Sequence, residues 1–457
     1  MYSIHTFLLQ KELFRSPEPV KTTVVSSFTD TPALQQIARQ ADSDYILFYT
    51  GTTPIELHPY AIGRMYQIAE SNDGALFYSD YQEIRQGKKI HHPTLEYQTG
   101  SIRNDFDFGQ LLLFRNDSFQ QVVAQMNTDY RFAALYELRL SISRLGKIVH
   151  IPETLYTVQP TDLRLSGEKQ FDYVDPANRE VQLEMEAVCT AHLQAIGAWL
   201  APEFQRIDFG QENFAREASV IIPVRNRKRT IAEAVESALQ QQTDFSFNVI
   251  VVDNHSTDGT GQILTELSRR YPNLIHHIPA STELGIGGCW TEAILLPECG
   301  KFAIQLDSDD LYKDCHVLQR IVDTFYQENC AMVIGSYQMV DFKLEEIPPG
   351  LIAHREWTPD NGRNNALRIN GLGAPRAFYT PVLRQIKFPN VSYGEDYATA
   401  LAISRKYPIA RIYDPLYLCR RWEENSDHDL DIQQLNNYNF YKDEIRTLEI
   451  QARISGK

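Results

Sequence analysis

Two carboxylates separated by one residue, Asp307 and Asp309, are the first candidates for chemistry in this sequence. They follow an apolar run, residues 301–306, that is typical of a buried strand. Side chains at such a strand exit face the crevice at the carboxyl edge of a parallel sheet, where α/β proteins bind ligands. One or two carboxylates together with substrate phosphates commonly hold Mg²⁺, and Mn²⁺ suits the same oxygens. Taken alone, residues 307–310 also suit the capped, acidic start of a helix.

Two further polar stretches follow apolar strands earlier in the second half of the chain. The run at residues 218–224 ends in Pro223 and Val224, and Asn226 follows it. The run at residues 247–252 is followed by Asp253 and, three positions later, Ser256. Asp253 is placed to accept a hydrogen bond from a nucleobase N–H, beside a wall and a polar edge formed by the first stretch. An Asx-turn and helix cap is the alternative for Asp253 and Ser256, and it is compatible with binding.

A second acidic pair, Glu395 and Asp396, opens the helix predicted for residues 397–406. A carboxylate at such a position can take up a proton from a bound substrate, and Asp396 is our candidate for this general base. We expect Glu395 to support the site or to orient the acceptor. The alternative is that both acids only stabilise the positive end of the helix.

Alternating strands and helices position these residues. Strands are predicted for residues 218–224, 247–252, 274–278 and 301–306, and helices for residues 230–241 and 260–271. This alternation indicates βαβ units and a parallel sheet, which brings the polar stretches to strand exits.

Taken together, the four stretches resemble the family-2 glycosyltransferases of GT-A fold, over about residues 218–425. In order they read Pro-x-x-Asn, Val-Asp-x-x-Ser-x-Asp-Gly-Thr, Asp-x-Asp and Glu-Asp. The resemblance implies an α/β GT-A domain that transfers a sugar, with inversion, from a nucleotide-sugar donor to a glycan or another hydroxyl acceptor. It favours a UDP-sugar, with a GDP-sugar as the alternative. Asn254 departs from the second aspartate that is commoner in the family.

The resemblance also implies a role for each matching residue. Asp253 corresponds to the acid that binds uracil, and the rest of the nucleotide pocket corresponds to Pro223, Val224, Asn226 and Ser256. Asp307 and Asp309 correspond to the ligands of Mn²⁺ or Mg²⁺, and Ser308 to a group near the donor.

Three other positions match the family less closely. Gly285 lies where the family has a loop and helix start that approach phosphate or ribose, although a plain turn fits equally well. His428 lies where the family often completes the metal site. Arg420 and Arg421 could instead balance the diphosphate charge, or form a solvated or salt-bridged pair.

An internal repeat places a similar unit in the first half of the chain. Residues 44–53 resemble residues 301–310, and residues 143–156 resemble residues 404–417. Thr50 and Thr52 replace the Asp-x-Asp carboxylates, and Ala134 and Leu135 replace the Glu-Asp pair. No counterparts of the strands within residues 219–260 are evident, and chance similarity is the alternative to a repeat.

The repeat leads to a predicted domain division. Residues 1–200 are predicted to be a degenerate GT-A-like domain without catalytic activity, and residues 201–217 a linker. Residues 218–457 are predicted to be the catalytic domain with a helical C-terminal tail. We expect the first domain to dock on the second and to shape the acceptor site or a homodimer.

Composition excludes some classes of function. The chain has 457 residues and a formal net charge of −15 without a block of Lys and Arg, which argues against a nucleic-acid-binding surface. Its six cysteines are scattered, as expected in a reducing compartment. No apolar run is long enough to predict a transmembrane segment, so we expect a cytoplasmic protein and leave peripheral membrane contact open.

Two other functions stay open at this point. A sugar nucleotidyltransferase shares α/β nucleotide pockets, but it usually has a glycine-rich loop with a basic residue after the first strand. Residues 225–229 are basic and contain no glycine. A non-catalytic glycan-binding or scaffold protein is compatible with the first half only.

Overall fold

The computed structural model describes residues 2–159, 178–210, 212–422 and 430–456. The chain divides into two compact units. The first unit comprises Met1–Trp199, Leu367–Ile369 and Leu430–Lys457, and the second unit comprises Leu200–Ala366 and Asn370–Asp429. None of the described helices is long and apolar enough to span a membrane.

The first unit is built on a nine-stranded mixed sheet. Its strands are β1 (Ile4–Leu8), β2 (Phe14–Arg15), β3 (Lys21–Val24), β4 (Tyr45–Tyr49), β5 (Ile55–Leu57), β6 (Gly74–Arg85), β7 (Lys88–His92), β8 (Leu111–Arg115) and β9 (Lys147–Val158). Among the described residues before residue 200, its α-helices are α1 (Thr31–Gln40), α2 (Ala61–Glu70), α3 (Asn116–Val123), α4 (Ala134–Leu145) and α5 (Arg179–Ala195).

Strand β4 shows why the first sheet is buried on both faces. All five of its residues are buried. Because successive side chains of a strand point to opposite faces, Ile46 and Phe48 enter one hydrophobic core while Leu47 and Tyr49 enter the other. A continuous apolar strand is therefore stable here, with core on each side of the sheet.

The second unit contains another nine-stranded mixed sheet. Its strands are β10 (Ala218–Val224), β11 (Phe247–Asp253), β12 (Leu274–His277), β13 (Phe302–Gln305), β14 (Leu311–Tyr312), β15 (Met332–Val340), β16 (Glu346–Ile352), β17 (Arg376–Tyr379) and β18 (Ile409–Arg420). Its helices are α6 (Ile231–Leu239), α7 (Thr260–Arg270), α8 (Ile286–Leu295), α9 (Val317–Glu328), α10 (Gly362–Asn365), α11 (Thr380–Ile386) and α12 (Glu395–Ser404). The predicted βαβ alternation therefore forms the parallel group β12–β11–β10–β13.

The C-terminal helix α13 (Ile432–Ile454) belongs to the first unit. It begins with a capping box between Asp431 and Gln434. Within the first unit, the buried Asp443 accepts hydrogen bonds from Ser101 Oγ at 3.0 Å and from Arg446 Nη1 at 2.7 Å. The sequence predicts that this helix belongs to the domain of residues 218–457, but in the structure its buried polar contacts tie it to the first unit.

The two sheets share one order of strand pairing. The parallel group β3–β1–β4 has the same order and direction as β11–β10–β13, and the remaining part β8–β6–β9–β5 matches β17–β15–β18–β14. The pairing of β6 with β9 shifts register beside Asp80, and the pairing of β15 with β18 shifts beside Ser336. The expectation that the first half lacks counterparts of the strands within residues 219–260 is wrong, because β1 and β3 take those places.

Candidate active site

The exit of strand β13 carries a cluster of carboxylates in the second unit. The backbone N–H of Asp307 donates to the hydroxyl of Tyr417 at 2.8 Å, and Asp307 Oδ1 accepts from Gln305 Nε2 at 2.9 Å. Asp309 Oδ2 accepts from the indole N–H of Trp422 at 3.1 Å. The same oxygen lies 3.8 Å from Nε of Arg227. The carboxylates predicted from the Asp-x-Asp spacing are thus held side by side at a sheet edge.

Asp310 is a third member of this cluster and does not open a helix. It is 4% exposed, its Oδ1 accepts from the backbone N–H of Arg420 at 2.7 Å, and the short strand β14 follows it. Burial raises the pKa of Asp307, and burial together with the charges of Asp309 and Asp307 raises the pKa of Asp310 well above its ordinary value. The cluster therefore concentrates negative charge and favours a bound cation.

The residues present fit a divalent metal ion that shares its ligands with a substrate. Asp307 and Asp309 supply hard oxygen atoms of the kind that Mg²⁺ and Mn²⁺ prefer. Among the described residues, no group of three or more His, Cys, Asp or Glu side chains is arranged to hold a metal. Phosphate oxygens and water would therefore complete the coordination. The candidate ligand His428 lies outside the described residues.

The second predicted pair lies at the start of helix α12. Asp396 Oδ2 forms an ion pair with Arg376 Nη2 at 2.5 Å. Burial raises the pKa of Glu395 to about 8, and the neighbouring charge of Asp396 contributes. Its Oε2 atom is buried without a hydrogen-bond partner among the described residues. The two acids therefore differ: Asp396 is salt-bridged and 23% exposed, whereas Glu395 is half-buried with its Oε2 atom enclosed.

Gln305 and Arg376 connect the two acidic groups. Gln305 Oε1 accepts from the backbone N–H of Arg376 at 3.1 Å and from its Nη1 at 3.2 Å. The amide nitrogen of the same Gln305 side chain donates to Asp307. A chain of hydrogen bonds thus runs from the strand exit to Asp396.

The predicted nucleotide pocket forms at the exits of β10 and β11. Asp253 Oδ1 accepts from the N–H of Ser256 at 3.0 Å, and Oδ2 lies 3.2 Å from His276 Nε2. Burial raises the pKa of Asp253, but these hydrogen bonds outweigh it and hold the pKa below its usual value. Asn226, at a φ of 55°, binds Ser256 Oγ through its N–H and the N–H of Thr257 through Oδ1. Asp253 is therefore ionised and fixed in place as a hydrogen-bond acceptor.

The remaining members of the predicted pocket lie on the same two strand exits. Val224 is buried and pairs in register with Asp253, while Pro223 is partly exposed. Ser308 is buried beside the Asp-x-Asp carboxylates, at 8% exposure.

Gly285 and its neighbours have a packing role in the structure. A Cβ atom at Gly285 would lie 2.6 Å from the backbone carbon of Val391, and one at Gly287 would lie 2.0 Å from the carbonyl oxygen of Pro389. The N–H of Gly285 donates to Asn390 Oδ1 at 2.8 Å, and the N–H of Gly287 donates to the carbonyl oxygen of Val391 at 2.9 Å. Gly285 thus makes a close contact that seats α8 against the segment before Glu395, and its expected phosphate contact stays a prediction.

Arg420 also has a structural role. Its side chain is 2% exposed and donates to the carbonyl oxygen of Asp309 and to Glu233. The guanidinium of Arg420 is thus engaged by protein groups of the second unit, which argues against the expected contact with the diphosphate. The N–H of Arg421 donates to the carbonyl oxygen of Val340 at 2.9 Å.

Sequence reasoning missed three residues of the site: Gln305, Arg376 and Tyr417. Tyr417 had a detectable signal, because the resembling segment of the first half carries Tyr156 at the same place. In the first unit, Tyr156 OH accepts from the N–H of Gln110 at 2.8 Å, much as Tyr417 OH accepts from Asp307. Gln305 and Arg376 had no local signal, since only the pairing of β13 with β17 brings them together.

Comparison with known protein families identifies this part of the chain. Residues 219–386 match the family described as glycosyl transferase family 2. The second unit contains a family-2 glycosyltransferase domain of GT-A fold. The predicted fold class, a GT-A domain preceded by a second α/β domain, is confirmed. The family match ends before Glu395 and Asp396, so the general base of this glycosyltransferase domain stays a prediction.

Three curated proteins that resemble the chain come from bacteria. An uncharacterized glycosyltransferase of Nostoc sp. is 32% identical over 27% of this chain and 37% of its own length. The poly(ribitol-phosphate) beta-glucosyltransferase of Bacillus spizizenii is 25% identical over 44% of this chain and 32% of its own length. The minor teichoic acid biosynthesis protein GgaA of Bacillus subtilis is 32% identical over 23% of this chain and 24% of its own length. The chain thus spans between 24% and 37% of the length of these relatives.

Solved structures also resemble the chain. Residues 1–349 of S. aureus TarS, in complex with UDP-GlcNAc, share 23% sequence identity with it at a TM-score of 0.40. The match covers 52% of this chain and 72% of that one.

Proposed function

We propose that the second unit is an inverting, metal-dependent glycosyltransferase that moves a sugar from a nucleotide-sugar donor to a hydroxyl acceptor. The observation that carries the proposal is the connection of two acidic groups, one at the exit of β13 and one at the start of α12, within a family-2 domain. One group suits a diphosphate with its metal, and the other suits a proton acceptor. A single displacement with inversion requires both functions.

Each group has a defined task in this proposal. Asp253 accepts from the nucleobase, in a pocket with Pro223, Val224, Asn226 and Ser256; a UDP-sugar is the first donor to test and a GDP-sugar the second. Asp307 and Asp309 hold the cation, Mn²⁺ or Mg²⁺, which when bound would offset the charge of the departing nucleoside diphosphate. Asp396 removes the proton from the acceptor hydroxyl.

We also propose that the acceptor is a bacterial cell-surface polymer that carries hydroxyl groups. This part of the proposal is supported by the names of two relatives, which refer to poly(ribitol-phosphate) and to teichoic acid biosynthesis.

We propose that the first unit is a duplicated copy of this fold that has lost its catalytic groups. The shared strand order and the matching register shifts support a common origin. Thr50 and Thr52 follow β4 where the Asp-x-Asp carboxylates follow β13, and Ala134 and Leu135 open α4 where Glu-Asp opens α12. Leu112 occupies the register position of Arg376. At these positions the described part of the first unit therefore lacks counterparts of the metal ligands and of the base.

The test is sugar transfer or donor hydrolysis with a panel of UDP- and GDP-sugars, with Mn²⁺, Mg²⁺ or EDTA. We expect turnover with a divalent metal, loss of turnover in EDTA, and at least a 100-fold loss in Asp309→Ala and Asp396→Asn. Glu266→Gln, an exposed acid of α7, is the control and should keep normal activity. If no nucleotide sugar binds and Asp309→Ala changes nothing, the proposed function is wrong. Release of pyrophosphate from a nucleoside triphosphate and a sugar phosphate would instead favour a nucleotidyltransferase.

A further inference from the structure

Arg376 is a cation that faces both acidic groups of the site. Its Nη2 lies 2.5 Å from Asp396 Oδ2, and its Nη1 and backbone N–H donate to Gln305 Oε1 at 3.2 and 3.1 Å. Burial lowers the pKa of Arg376, but the carboxylates of Asp396, Asp307 and Glu395 outweigh this and raise it above its ordinary value. The guanidinium therefore interacts with the strand exit and with the start of α12 together.

The hydrogen-bond donors and acceptors fix the orientation of Gln305. Its carbonyl oxygen meets two N–H donors of Arg376, and its amide nitrogen meets the carboxylate of Asp307. Rotating the amide by 180° would place its N–H groups against those donors and its oxygen against the carboxylate. The amide of Gln305 is thus held in a single orientation. A displacement of Arg376 would therefore move this side chain and disturb its hydrogen bond to Asp307.

The shape of the arginine side chain matters as well as its charge. Two guanidinium nitrogens are used in different directions, Nη2 toward Asp396 and Nη1 toward Gln305. Guanidinium is a planar fork, whereas a lysine ammonium is a compact point charge on a flexible stem. Lysine would preserve the charge but would not hold the carboxylate and the amide in the same fixed geometry.

We infer that Arg376 is a positioning residue that holds Asp396 for proton removal and, through Gln305, keeps the base in register with the donor-binding carboxylates. The inference rests on the proposed function of the second unit. Arg376 acts through Asp396 and Gln305, so its loss should slow the chemical step more than it weakens donor binding.

The test compares Arg376→Met and Arg376→Lys with the wild-type full chain, using the donor that the wild type turns over. For Arg376→Met we expect kcat to fall at least 100-fold while the KM for the donor changes less than threefold. Arg376→Lys should recover part of the lost kcat but stay at least tenfold below wild type. The control is Arg384→Met, because Arg384 donates to the backbone carbonyls of Ile294 and Leu296. It should lower the Tm without changing kcat more than threefold.

Gln305→Leu provides a second route that leaves Arg376 in place. We expect a fall of about tenfold in kcat, and little further loss when it is combined with Arg376→Met, because residues that act in one network are not additive. Full additivity of the two losses would overturn the link through Gln305. An unchanged kcat with a raised donor KM in Arg376→Met, or full activity of Arg376→Lys, would overturn the positioning role.

These outcomes separate the inference from the proposed function. If the wild type transfers sugar and Asp396→Asn is inactive, but Arg376→Met keeps its kcat, only the role of Arg376 is wrong. If the wild type transfers no sugar from any donor, both are wrong.

Discussion

Replacing Glu395 with glutamine removes a carboxyl group whose pKa is raised from 4.5 to about 8 by burial and by the charge of Asp396. Between these two pH values, the folded protein keeps a proton that the unfolded chain has lost. The stability linked to that proton is fully present below pH 4.5 and is lost as the pH rises toward 8. At 1.36 kcal/mol per pH unit, the loss amounts to about 5 kcal/mol across this range.

The assay is urea unfolding of the wild type and Glu395→Gln in EDTA, at pH 5 and at pH 8.5. The glutamine leaves a buried amide, but its cost is the same at both pH values. Asp307 and Asp310 also have raised pKa values and contribute to the pH dependence of both proteins, so the difference between the two proteins isolates Glu395. We expect the variant to gain about 4 kcal/mol relative to wild type between pH 5 and pH 8.5, because part of the linked stability is already lost at pH 5.

An equal difference between the two proteins at both pH values would refute this reasoning. Glu395 would then be hydrated and ionised like an exposed acid, and the contrast drawn between Glu395 and Asp396 would not hold.

Two other predictions concern packing and hydrogen bonding around the site. Gly287→Ala should lower the free energy of unfolding by about 3 kcal/mol, because its Cβ would meet the carbonyl oxygen of Pro389 at 2.0 Å. Gly197→Ala is the control, because a Cβ atom there would meet no atom within 4 Å, although the residue has a φ of 73°. It should lower the free energy of unfolding by only about 1 kcal/mol. Equal losses for the two variants in urea unfolding would contradict the close contact at Gly287. Tyr417→Phe removes the acceptor for the N–H of Asp307 and should reduce sugar transfer about tenfold, by about 1.4 kcal/mol. Tyr156→Phe removes the matching hydroxyl of the first unit and should leave the transfer rate unchanged; equal losses would argue against a site confined to the second unit.

The local pattern of apolar and polar residues was sufficient to predict the parallel strands of the second unit and the positions where they end. Strand β10 is a continuous apolar run that is nearly fully buried, as its composition predicts, and it ends where the polar residues of the pocket begin. Asp253, Asp307 and Asp309 could be predicted as site residues from the sequence. The reason is that the ends of parallel strands lie along one edge of the sheet, independent of the conformation of the loops.

Features that depend on contacts between distant segments were not predictable from local pattern. The amphipathic pattern of residues 54–71 predicts one helix, but its first part forms the short strand β5, which pairs with β9. Residues 311–312 likewise pair with β18 instead of extending a helix. Tertiary pairing overrides local propensity at both places.

Arg376 illustrates the same limit at the site. From the sequence it belongs to a glycine-containing loop, and only the antiparallel register of β17 on β13 brings it beside Gln305. Gly285 shows a related limit, since a glycine at a helix start suits phosphate binding and close packing equally well until the neighbouring segment is known.

Binding of Mn²⁺ to the full chain in the presence of UDP tests most directly the claim that only the strand exit with carboxylates is active. Isothermal titration should give one Mn²⁺ per chain for the wild type and for Thr52→Ala, and no binding at this site for Asp309→Ala. A second Mn²⁺ that is lost in Thr52→Ala, or Mn²⁺ binding that survives Asp309→Ala unchanged, would contradict the account.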